Sequence, residues 1–398
     1  MPLHSTPCSL ILLFISSVAA QSHPNLLPVT PKCPTVTLVY QPTFSQINAS
    51  VDPTNKYGLE DGIVVRRADG GFSMISAEMY GDPRWVAMRL GVWKSRDGLE
   101  WRKVRNIRQS SSNFDGTDIH SSSWGPFFVY DPRRATWALS YVGYRGAPSN
   151  SSGWLENFDG TIFAQYASAK GDEGLDSDFG DVDYRKSDRI LLQPDDFNVR
   201  GPWPYVCQGL QGTDSFYPYQ LANGSWAALV GTSHQETPDP WPGGKWPVSL
   251  ALAPDIMGPW KRYNPSGPSA AAPCVNLNDG YSENPIVSRR PDNPNAFHLV
   301  IDWIMQEDKG FGYSCSNDGI RWSEASMVRT PAGCRTPFGL VPLTDKEIET
   351  FSSKIIRYGV INASQIRAAN TSLQWAFYTR NTDTWEVFHS SIVQLVWT

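Results

Sequence analysis

The sequence predicts an all-β protein built as a five-bladed β-propeller. Three observations support this fold class. Short runs of β-branched and aromatic residues bounded by Gly, Pro, Asn and Asp dominate the chain, whereas apolar spacing typical of a helix is almost absent. The runs form a unit that recurs about every 65 to 90 residues. Propellers grow by adding such units around a single channel, so a chain of 398 residues can form one large domain.

The predicted strands fall into successive groups. They are Gly62–Arg66, Gly71–Glu78, Pro126–Tyr130, Thr136–Tyr141, Ser215–Gln220, Trp226–Gly231, Asn284–Ser288, Phe297–Trp303, Gln374–Thr379 and Trp385–Leu395. Thr35–Tyr40 is also strand-like, and we expect it to pair with the last blade. A short helix is predicted at Asp345–Lys354. The five blades are expected near residues 58–104, 118–195, 205–263, 280–325 and 336–398, within a single domain of residues 21–398.

A turn motif recurs between third and fourth strands. Ser95–Trp101 reads S-R-D-G-L-E-W, and Ser316–Trp322 reads S-N-D-G-I-R-W. A degenerate copy spans Ala253–Trp260 and ends in G-P-W. Asp-Gly supplies the positive φ angles of a tight hairpin, and the tryptophan that follows can pack over it. The motif indicates a structural repeat and carries no chemistry by itself.

The first 20 residues predict a signal peptide, because the apolar run Leu10–Ile15 precedes small residues and Val18-Ala19-Ala20. Secretion is the expected localisation. Five N-x-S/T sequons agree with it, at Asn48, Asn150, Asn223, Asn362 and Asn370. Five cysteines remain after residue 20, with no C-x-x-C spacing, which favours disulfides over zinc. Cys315 with Cys334 is a plausible local bridge.

Charge and aromatic content limit the partners. The net charge of −5 comes without a basic cluster, which argues against nucleic acid, and no later segment is apolar enough to enter a membrane. Sixteen Trp and sixteen Tyr suit a surface that stacks on sugar rings, although core packing between sheets explains them equally well. Carbohydrate is the expected ligand, and we expect a monomer.

Acidic residues open the predicted innermost strands of three blades. These are Glu60-Asp61, Asp214 and Glu283. Inner strands line the channel, so the three sites would face one pocket. Each acid alone could merely cap a turn. Together they match the need of glycosidic hydrolysis for one protonated and one ionised carboxyl group, with a third carboxylate tuning the acid.

This pattern resembles glycoside hydrolase family 43 and its five-bladed relatives, families 32, 62 and 117. Trp124-Gly125-Pro126 is similar to the W-A-P that opens a blade in that group. The resemblance implies Asp61 as general base, Asp214 as the residue that tunes the acid, and Glu283 as general acid. The sequence departs from the family pattern where D-G and D-S replace D-P and E-N-P replaces E-G-P. Glu60 beside Asp61 leaves the identity of the base open.

Further side chains are candidates for substrate binding. They are Glu60, Trp124, His120, Tyr217, His234 and Trp303. No cofactor is expected to be required and no metal site is predicted, while a structural channel ion such as calcium stays open. Salt links between blades account for Asp302.

The expected function is a secreted glycoside hydrolase that acts on a plant or microbial polysaccharide or oligosaccharide, similar to arabinofuranosidases, arabinanases or xylosidases. The resemblance implies inversion at the anomeric carbon. A propeller that binds carbohydrate without turnover is one alternative. A sialidase-like enzyme is another, although Arg66, Arg89, Arg145 and Arg335 do not occupy equivalent blade positions.

Overall fold

Five four-stranded antiparallel sheets make up the part of the chain that the computed structural model describes. That part comprises residues 33–40, 54–113, 115–146, 160–177, 179, 188–193, 210–234, 248–263, 283–290, 293–303, 309–330, 333–357, 371–382 and 385–396. In each sheet the innermost strand contacts the innermost strands of both neighbouring sheets. This is the predicted five-bladed β-propeller, and the all-β fold class is confirmed.

The first four blades each use four consecutive strands. Blade 1 has β2 (Leu59–Arg66), β3 (Phe72–Met79), β4 (Met88–Ser95) and β5 (Trp101–Ile107); blade 2 has β6 (Ser122–Asp131), β7 (Thr136–Tyr144), β8 (Thr161–Tyr166) and β9 (Arg189–Leu192). Blade 3 has β10 (Leu210–Gln220), β11 (Trp226–His234), β12 (Val248–Ala253) and β13 (Lys261–Arg262); blade 4 has β14 (Glu283–Arg289), β15 (Phe297–Asp302), β16 (Gly310–Ser316) and β17 (Ser326–Arg329).

Blade 5 combines the two ends of the described chain. Its strands are β18 (Thr336–Pro342), β19 (Thr371–Thr382), β20 (Trp385–Val396) and, outermost, β1 (Thr35–Tyr40). Thr35 pairs with Val396 in an antiparallel register. The predicted pairing of Thr35–Tyr40 with the last blade is therefore confirmed, and it closes the ring with hydrogen bonds rather than side-chain packing alone.

A disulfide between Cys33 and Cys315 ties the closing strand to blade 4, with a Cα–Cα distance of 5.7 Å. The predicted bridge between Cys315 and Cys334 is therefore wrong. Cys315 lies on β16, the third strand of its blade, whereas Cys334 is buried just before the innermost strand of blade 5. Proximity in sequence does not bring them together, because the chain crosses from one blade to the next between them.

The repeated turns fold alike and join neighbouring blades. In the first copy the amide of Gly98, at φ +77°, donates to Ser95 Oγ at 2.9 Å, and in the second Gly319, at φ +74°, donates to Ser316 Oγ at 2.8 Å. Ser390 Oγ of blade 5 donates to the carbonyl of Gly98, and Tyr219 of blade 3 donates to that of Gly319. Each turn thus packs against the preceding blade.

Two helices are described. The first, α1 (Glu173–Ser177), is a single turn in blade 2; the second, α2 (Asp345–Arg357), confirms the helix predicted at Asp345–Lys354. Phe351 on α2 packs against Tyr40 and Trp375 of blade 5, with ring centroids 5.9 and 5.2 Å apart. Neither of these described helices is long and apolar enough to cross a membrane.

Candidate active site at the channel mouth

A bulge near the start of every innermost strand shapes the channel mouth. In β2, β6, β14 and β18 one extra residue interrupts the register, and in β10 two do. The extra residue directly follows Glu60 in β2, Trp124 in β6 and Glu283 in β14. These three residues therefore hold equivalent positions, at the same level around the channel.

The bulge residues themselves carry unusual backbone angles. Asp61 lies at φ +31°, Gly125 at φ +51° and Asn284 at φ +51°. Glycine adopts such angles freely, whereas a residue with a side chain is strained there. Strained non-glycine residues cluster at functional sites, and blades 1 and 4 both place one at this mouth.

A layer of buried side chains lies just beyond the bulges. One comes from each innermost strand, and all five belong to one hydrophobic cluster: Ile63, Phe127, Tyr217, Ile286 and Leu340. Glu60, Trp124 and Glu283 each precede their member of this layer by three residues, and Asp214 precedes Tyr217 by the same interval. Beyond the layer, at the opposite end, the strands line a mainly apolar cavity of about 470 Å³.

Asp61 and Asn284 are in direct contact across the mouth. Asn284 Nδ2 donates to Asp61 Oδ1 at 2.7 Å, and Tyr217 donates its hydroxyl hydrogen to Asn284 Oδ1. The three residues are 5%, 1% and 0% exposed. Asp61 belongs to blade 1, Asn284 to blade 4 and Tyr217 to blade 3. Blades 1 and 4 are not neighbours, because blade 5 lies between them. This chain of hydrogen bonds therefore spans the channel. A hydrogen bond donated to a carboxylate favours its ionised form.

Glu60 lies in a second cluster, between blades 1 and 5. Thr336 donates its hydroxyl to Glu60 Oε1 at 2.8 Å, and Arg335 Nε lies 3.7 Å from the same oxygen. Arg335 also donates to Asp302 Oδ2 at 3.1 Å. Asp302 stands directly opposite Glu283 across β14 and β15. The guanidinium of Arg335 therefore lies between the carboxylates of Glu60 and Asp302. Asp302 in turn stands opposite Glu283, the predicted general acid.

The alternation expected for Glu60 and Asp61 does not hold. In a regular strand one of two adjacent side chains faces inward and the other away. The bulge breaks this rule, because both side chains are buried and both reach another blade. Glu60, rather than Asp61, is the positional equivalent of Glu283, and Asp61 is the equivalent of Asn284.

Trp124 forms an aromatic pair at the same level. Its ring stacks on Trp85, with centroids 5.8 Å apart, and its indole Nε1 donates to Ser122 Oγ at 2.7 Å. Trp85 belongs to the connection between β3 and β4 of blade 1. Both indoles are partly exposed. Both rings pack partly against the hydrophobic core, and the Arg84 guanidinium lies 4.6 Å from the ring centroid of Trp85. The sugar-binding role predicted for Trp124 stays a prediction.

The other predicted sugar contacts differ in their surroundings. Tyr217 is fully buried with its edge against Phe127, so its ring presents no face to a ligand and its hydroxyl orients Asn284 instead. His120 is 5% exposed and stacks on Phe163 at 4.6 Å, which makes it an interior packing residue of blade 2. The substrate-binding roles predicted for Tyr217 and His120 stay predictions. Trp303 is half-buried at the end of blade 4's second strand.

The side chains of Asp214 and His234 lie outside the described residues, so the roles predicted for them stay predictions. Among the residues described, no group of three or more His, Cys, Asp or Glu side chains is arranged to hold a metal ion. Glu60 Oε2 is buried and makes no hydrogen bond within the described chain. Calcium takes six to eight oxygen ligands, and one carboxylate oxygen does not make such a site. The channel ion stays a prediction.

Sequence reasoning missed Asn284, Thr336, Arg335 and Trp85. One signal was available for Asn284, because E-D-G-I-V at residues 60–64 and E-N-P-I-V at residues 283–287 align without gaps and pair it with Asp61. Three of the four arginines considered for a sialidase-like site bind separate carboxylates. Arg66 binds Glu347, Arg89 binds Glu78, and Arg335 binds Glu60 and Asp302.

No protein-family model matches the sequence, and no curated protein matches it. Solved structures do share its architecture. Zg3597, a family 117 glycoside hydrolase from the marine bacterium Zobellia galactanivorans, aligns with a TM-score of 0.51 at 13% identity, over 92% of this chain and 91% of that one. A second structure, described as a glycoside hydrolase, gives a TM-score of 0.51 at 13% identity over 91% and 92%. The chain thus has the fold of these five-bladed glycoside hydrolases.

Proposed function

We propose that this protein is a glycoside hydrolase that cleaves a polysaccharide or oligosaccharide at the channel mouth. The observation that carries the proposal is the 2.7 Å hydrogen bond from Asn284 to Asp61. It joins blades 1 and 4 and brings the segment that contains Glu283 next to the carboxylate of Asp61. Two carboxyl groups flanking one opening are what hydrolysis of a glycosidic bond requires.

The surroundings of the two groups support different roles. Asp61 accepts a hydrogen bond from an amide, which favours an ionised carboxylate suited to activating water. Glu283 stands opposite Asp302 in the register of β14 and β15, which places both carboxyl groups on one face of the strand pair, where like charges disfavour simultaneous ionisation. Since Asp302 is the partner of Arg335, it retains the charge, and Glu283 is the better holder of the proton. We therefore assign Asp61 as base and Glu283 as acid, with Asp214 as a further tuning residue.

The reaction then follows the inverting course. Glu283 donates its proton to the departing glycosidic oxygen while a water on the opposite face of the sugar attacks the anomeric carbon. Asp61 accepts the proton of that water. Inversion requires a separation of about 6.5 to 9.5 Å between the two carboxyl groups, whereas about 5 Å would indicate retention.

Reducing-sugar release and product NMR on arabinan, arabinoxylan, xylan, galactan and fructan test the proposal. Asp61→Asn and Glu283→Gln should each lower kcat about 100-fold or more, because acid and base contribute that much. Glu349→Gln is the matched control, since Glu349 is an exposed residue of α2. Turnover by both amide variants at the wild-type rate would refute the assignment.

A carbohydrate-binding propeller without turnover is the second candidate. Asp61 is only 5% exposed and Glu60 only 1%, a depth that favours a structural role for both acids. Calorimetry separates the two functions. Binding of a glycan by the wild type without release of any product would favour the binding propeller.

We propose further that the protein works outside the cell. The Cys33–Cys315 disulfide suits an oxidising compartment, and the sequon at Asn223 lies on an exposed hairpin turn. Expression in a secreting eukaryotic host should give a glycosylated product in the medium. Treatment with an N-glycosidase should then lower its mass, and Asn223→Gln should remove part of that difference. An unmodified protein retained in the cell would contradict this proposal.

A further inference from the structure

A mainly apolar cavity of about 470 Å³ lies at the end of the channel opposite the acidic residues. Members of the buried layer, among them Ile63 and Phe127, line it on the side of the mouth, and the last residues of the innermost strands form its walls. The wall of β2 from Ile63 to Arg66 extends about 10 Å, at about 3.3 Å for each residue. A cavity of this size can hold a small molecule.

Apolar side chains of this cavity remain open to solvent. Val65 and Val129 are partly exposed, and Tyr130 is 40% exposed. These residues follow the buried Ile63 and Phe127 along the same two strands. Apolar surface left in contact with water has a free-energy cost, which an apolar ligand removes when it covers that surface. The cavity therefore favours an occupant with an apolar portion.

The charge at this cavity is positive. Of the described residues that line it, the two charged ones are Arg66 and Arg289. Arg66 already has a counterion, because two of its nitrogens donate to Glu347 at 3.0 Å. Arg289 donates instead to the carbonyls of Pro294 and Gln220, at 2.6 and 2.7 Å, and none of the described carboxylates pairs with it. Its charge is therefore uncompensated, in a chain whose net charge is −5.

The guanidinium of Arg289 can accept an anion at the rim of the cavity. Two of its nitrogens contact carbonyl groups, and further N–H donors of the planar fork remain. The group lies 5.0 Å from the ring centroid of Phe297, which restricts its orientation. Burial lowers the pKa of Arg289, as expected for a cation partly removed from water. A carboxylate matches the geometry of such a fork.

We propose that this cavity binds an amphiphilic carboxylate, with the apolar tail against Ile63 and Phe127 and the carboxylate at Arg289. The ligand class is an aliphatic carboxylic acid whose extended tail is comparable in length to the wall of β2. The site lies at the opposite end of the channel from Asp61 and Glu283. Binding there is therefore independent of the proposed hydrolysis.

Calorimetry with octanoate, hexanoate and octan-1-ol tests both parts of the site. The wild type should bind octanoate saturably, and hexanoate about tenfold more weakly, because the shorter tail buries fewer methylene groups. Octan-1-ol lacks the charge and should bind about threefold more weakly than octanoate, as expected for a partly exposed ion pair. Arg289→Gln should bind octanoate and octan-1-ol with equal affinity. Arg329→Gln, at an exposed position of β17 outside the cavity lining, is the matched control and should preserve the difference.

Two further variants test where the tail lies. Val65→Phe and Ser288→Phe each enlarge a half-buried side chain of the cavity lining, in blades 1 and 4. Each should weaken octanoate binding about tenfold or more, because the added ring takes the space of the tail. Denaturant unfolding establishes that the variants are folded. Since they lie in different blades, either one alone suffices if the other does not fold.

Several results would overturn the proposal. No saturable binding of octanoate to the wild type would refute the site itself. Equal affinity for octanoate and hexanoate, or unchanged octanoate affinity in a folded Val65→Phe or Ser288→Phe variant, would show that the tail is not buried in this cavity. Octan-1-ol binding to the wild type as tightly as octanoate would show that the cavity takes neutral apolar molecules, and the role assigned to Arg289 would be wrong.

Discussion

Asn284 donates a 2.7 Å hydrogen bond to Asp61 from 223 positions along the chain, and both residues adopt backbone angles with positive φ. Two features of Asn284 contribute to this contact. Its amide links Asp61 to Tyr217, and its short polar side chain tolerates the left-handed region better than most. The two contributions can be separated by substitution.

Asn284→Gly and Asn284→Ala lose the same hydrogen bonds, but only glycine is free of strain at φ +51°. We expect the alanine variant to be the less stable by about 1 kcal/mol, and both to lose activity to the same extent. Urea unfolding measures the difference in stability between the two variants, and kcat measures their loss of activity. Asn106, exposed on β5, is the control position. There we expect the glycine variant of the protein to be less stable than the alanine variant, because glycine loses more conformational entropy on folding. An alanine variant at 284 more stable than the glycine variant would contradict the role of strain.

Glu347 fastens helix α2 to the end of blade 1's innermost strand. Both of its oxygens accept hydrogen bonds from Arg66 at 3.0 Å, and the backbone amide of Thr344 donates to Oε2 at 2.7 Å. Glu347→Gln should lower the free energy of unfolding by about 1 to 3 kcal/mol, because the half-buried guanidinium loses its partner. Denaturant unfolding checks this. The exposed Glu349→Gln on the same helix should change it by less than about 0.5 kcal/mol.

The contribution of Glu347 also depends on pH. Burial alone would raise the pKa of Glu347, but the Arg66 guanidinium and the Thr344 amide outweigh burial and lower it below 4.5. The folded state therefore binds the proton less readily than the unfolded state. The difference between wild type and Glu347→Gln should be complete above pH 4.5 and shrink as the pH falls through the lowered pKa. A difference that grows on acidification would contradict this ion pair.

His389 gives a second pH dependence with a different window. Burial, aided by Arg380, lowers the pKa of His389 from 6.5 to about 4. Between these values the unfolded state binds more protons, so stability falls as the pH decreases from 6.5 to 4, by at most about 3 kcal/mol. His389→Phe keeps the stack on Tyr378, at 5.7 Å, and removes the titration. Thermal unfolding from pH 7 to pH 4 should decline less steeply in the variant, and parallel curves would contradict the assignment.

The disulfide between Cys33 and Cys315 should stabilise the ring closure. It joins residues 282 positions apart, and loss of such a bridge costs about 2 to 5 kcal/mol. Cys33→Ser with Cys315→Ser should show this loss in guanidinium unfolding. Reduction should lower the stability of the wild type by more than it lowers that of the double variant. Equal stability of the oxidised wild type and the variant would argue against a structural role.

The sequence predicts the five blades, the closing strand and helix α2, because each depends on a local pattern. Strand runs, Asp-Gly turns and the helical spacing of apolar residues at Asp345–Lys354 each depend on residues close together in the sequence. The disulfide was mispredicted, since its geometry depends on where blade 4 meets the closing strand. Nothing near Cys33 in the sequence signals Cys315 as its partner.

The site was predicted in outline only. Acidic residues at the starts of innermost strands pointed to the channel mouth, and the structure brings Asp61 and the segment of Glu283 together there. The bulges could not be foreseen, because one inserted residue reverses the faces of the strand around it. Contacts between blades, such as Glu60 with Thr336, link segments more than 200 residues apart. The stacking of Trp85 on Trp124 depends likewise on how one blade's loop crosses another.

The pairing of β1 with β20 has a consequence for biosynthesis. The strand at residues 35–40 emerges from the ribosome before blades 1 to 4, but its hydrogen-bonding partner ends at Val396. Blades 1 to 4 can form in order of translation, while this strand keeps an unpaired edge until β20 has been made. Unpaired strand edges invite association with other chains. Nascent chains truncated before β20 should therefore depend most on molecular chaperones.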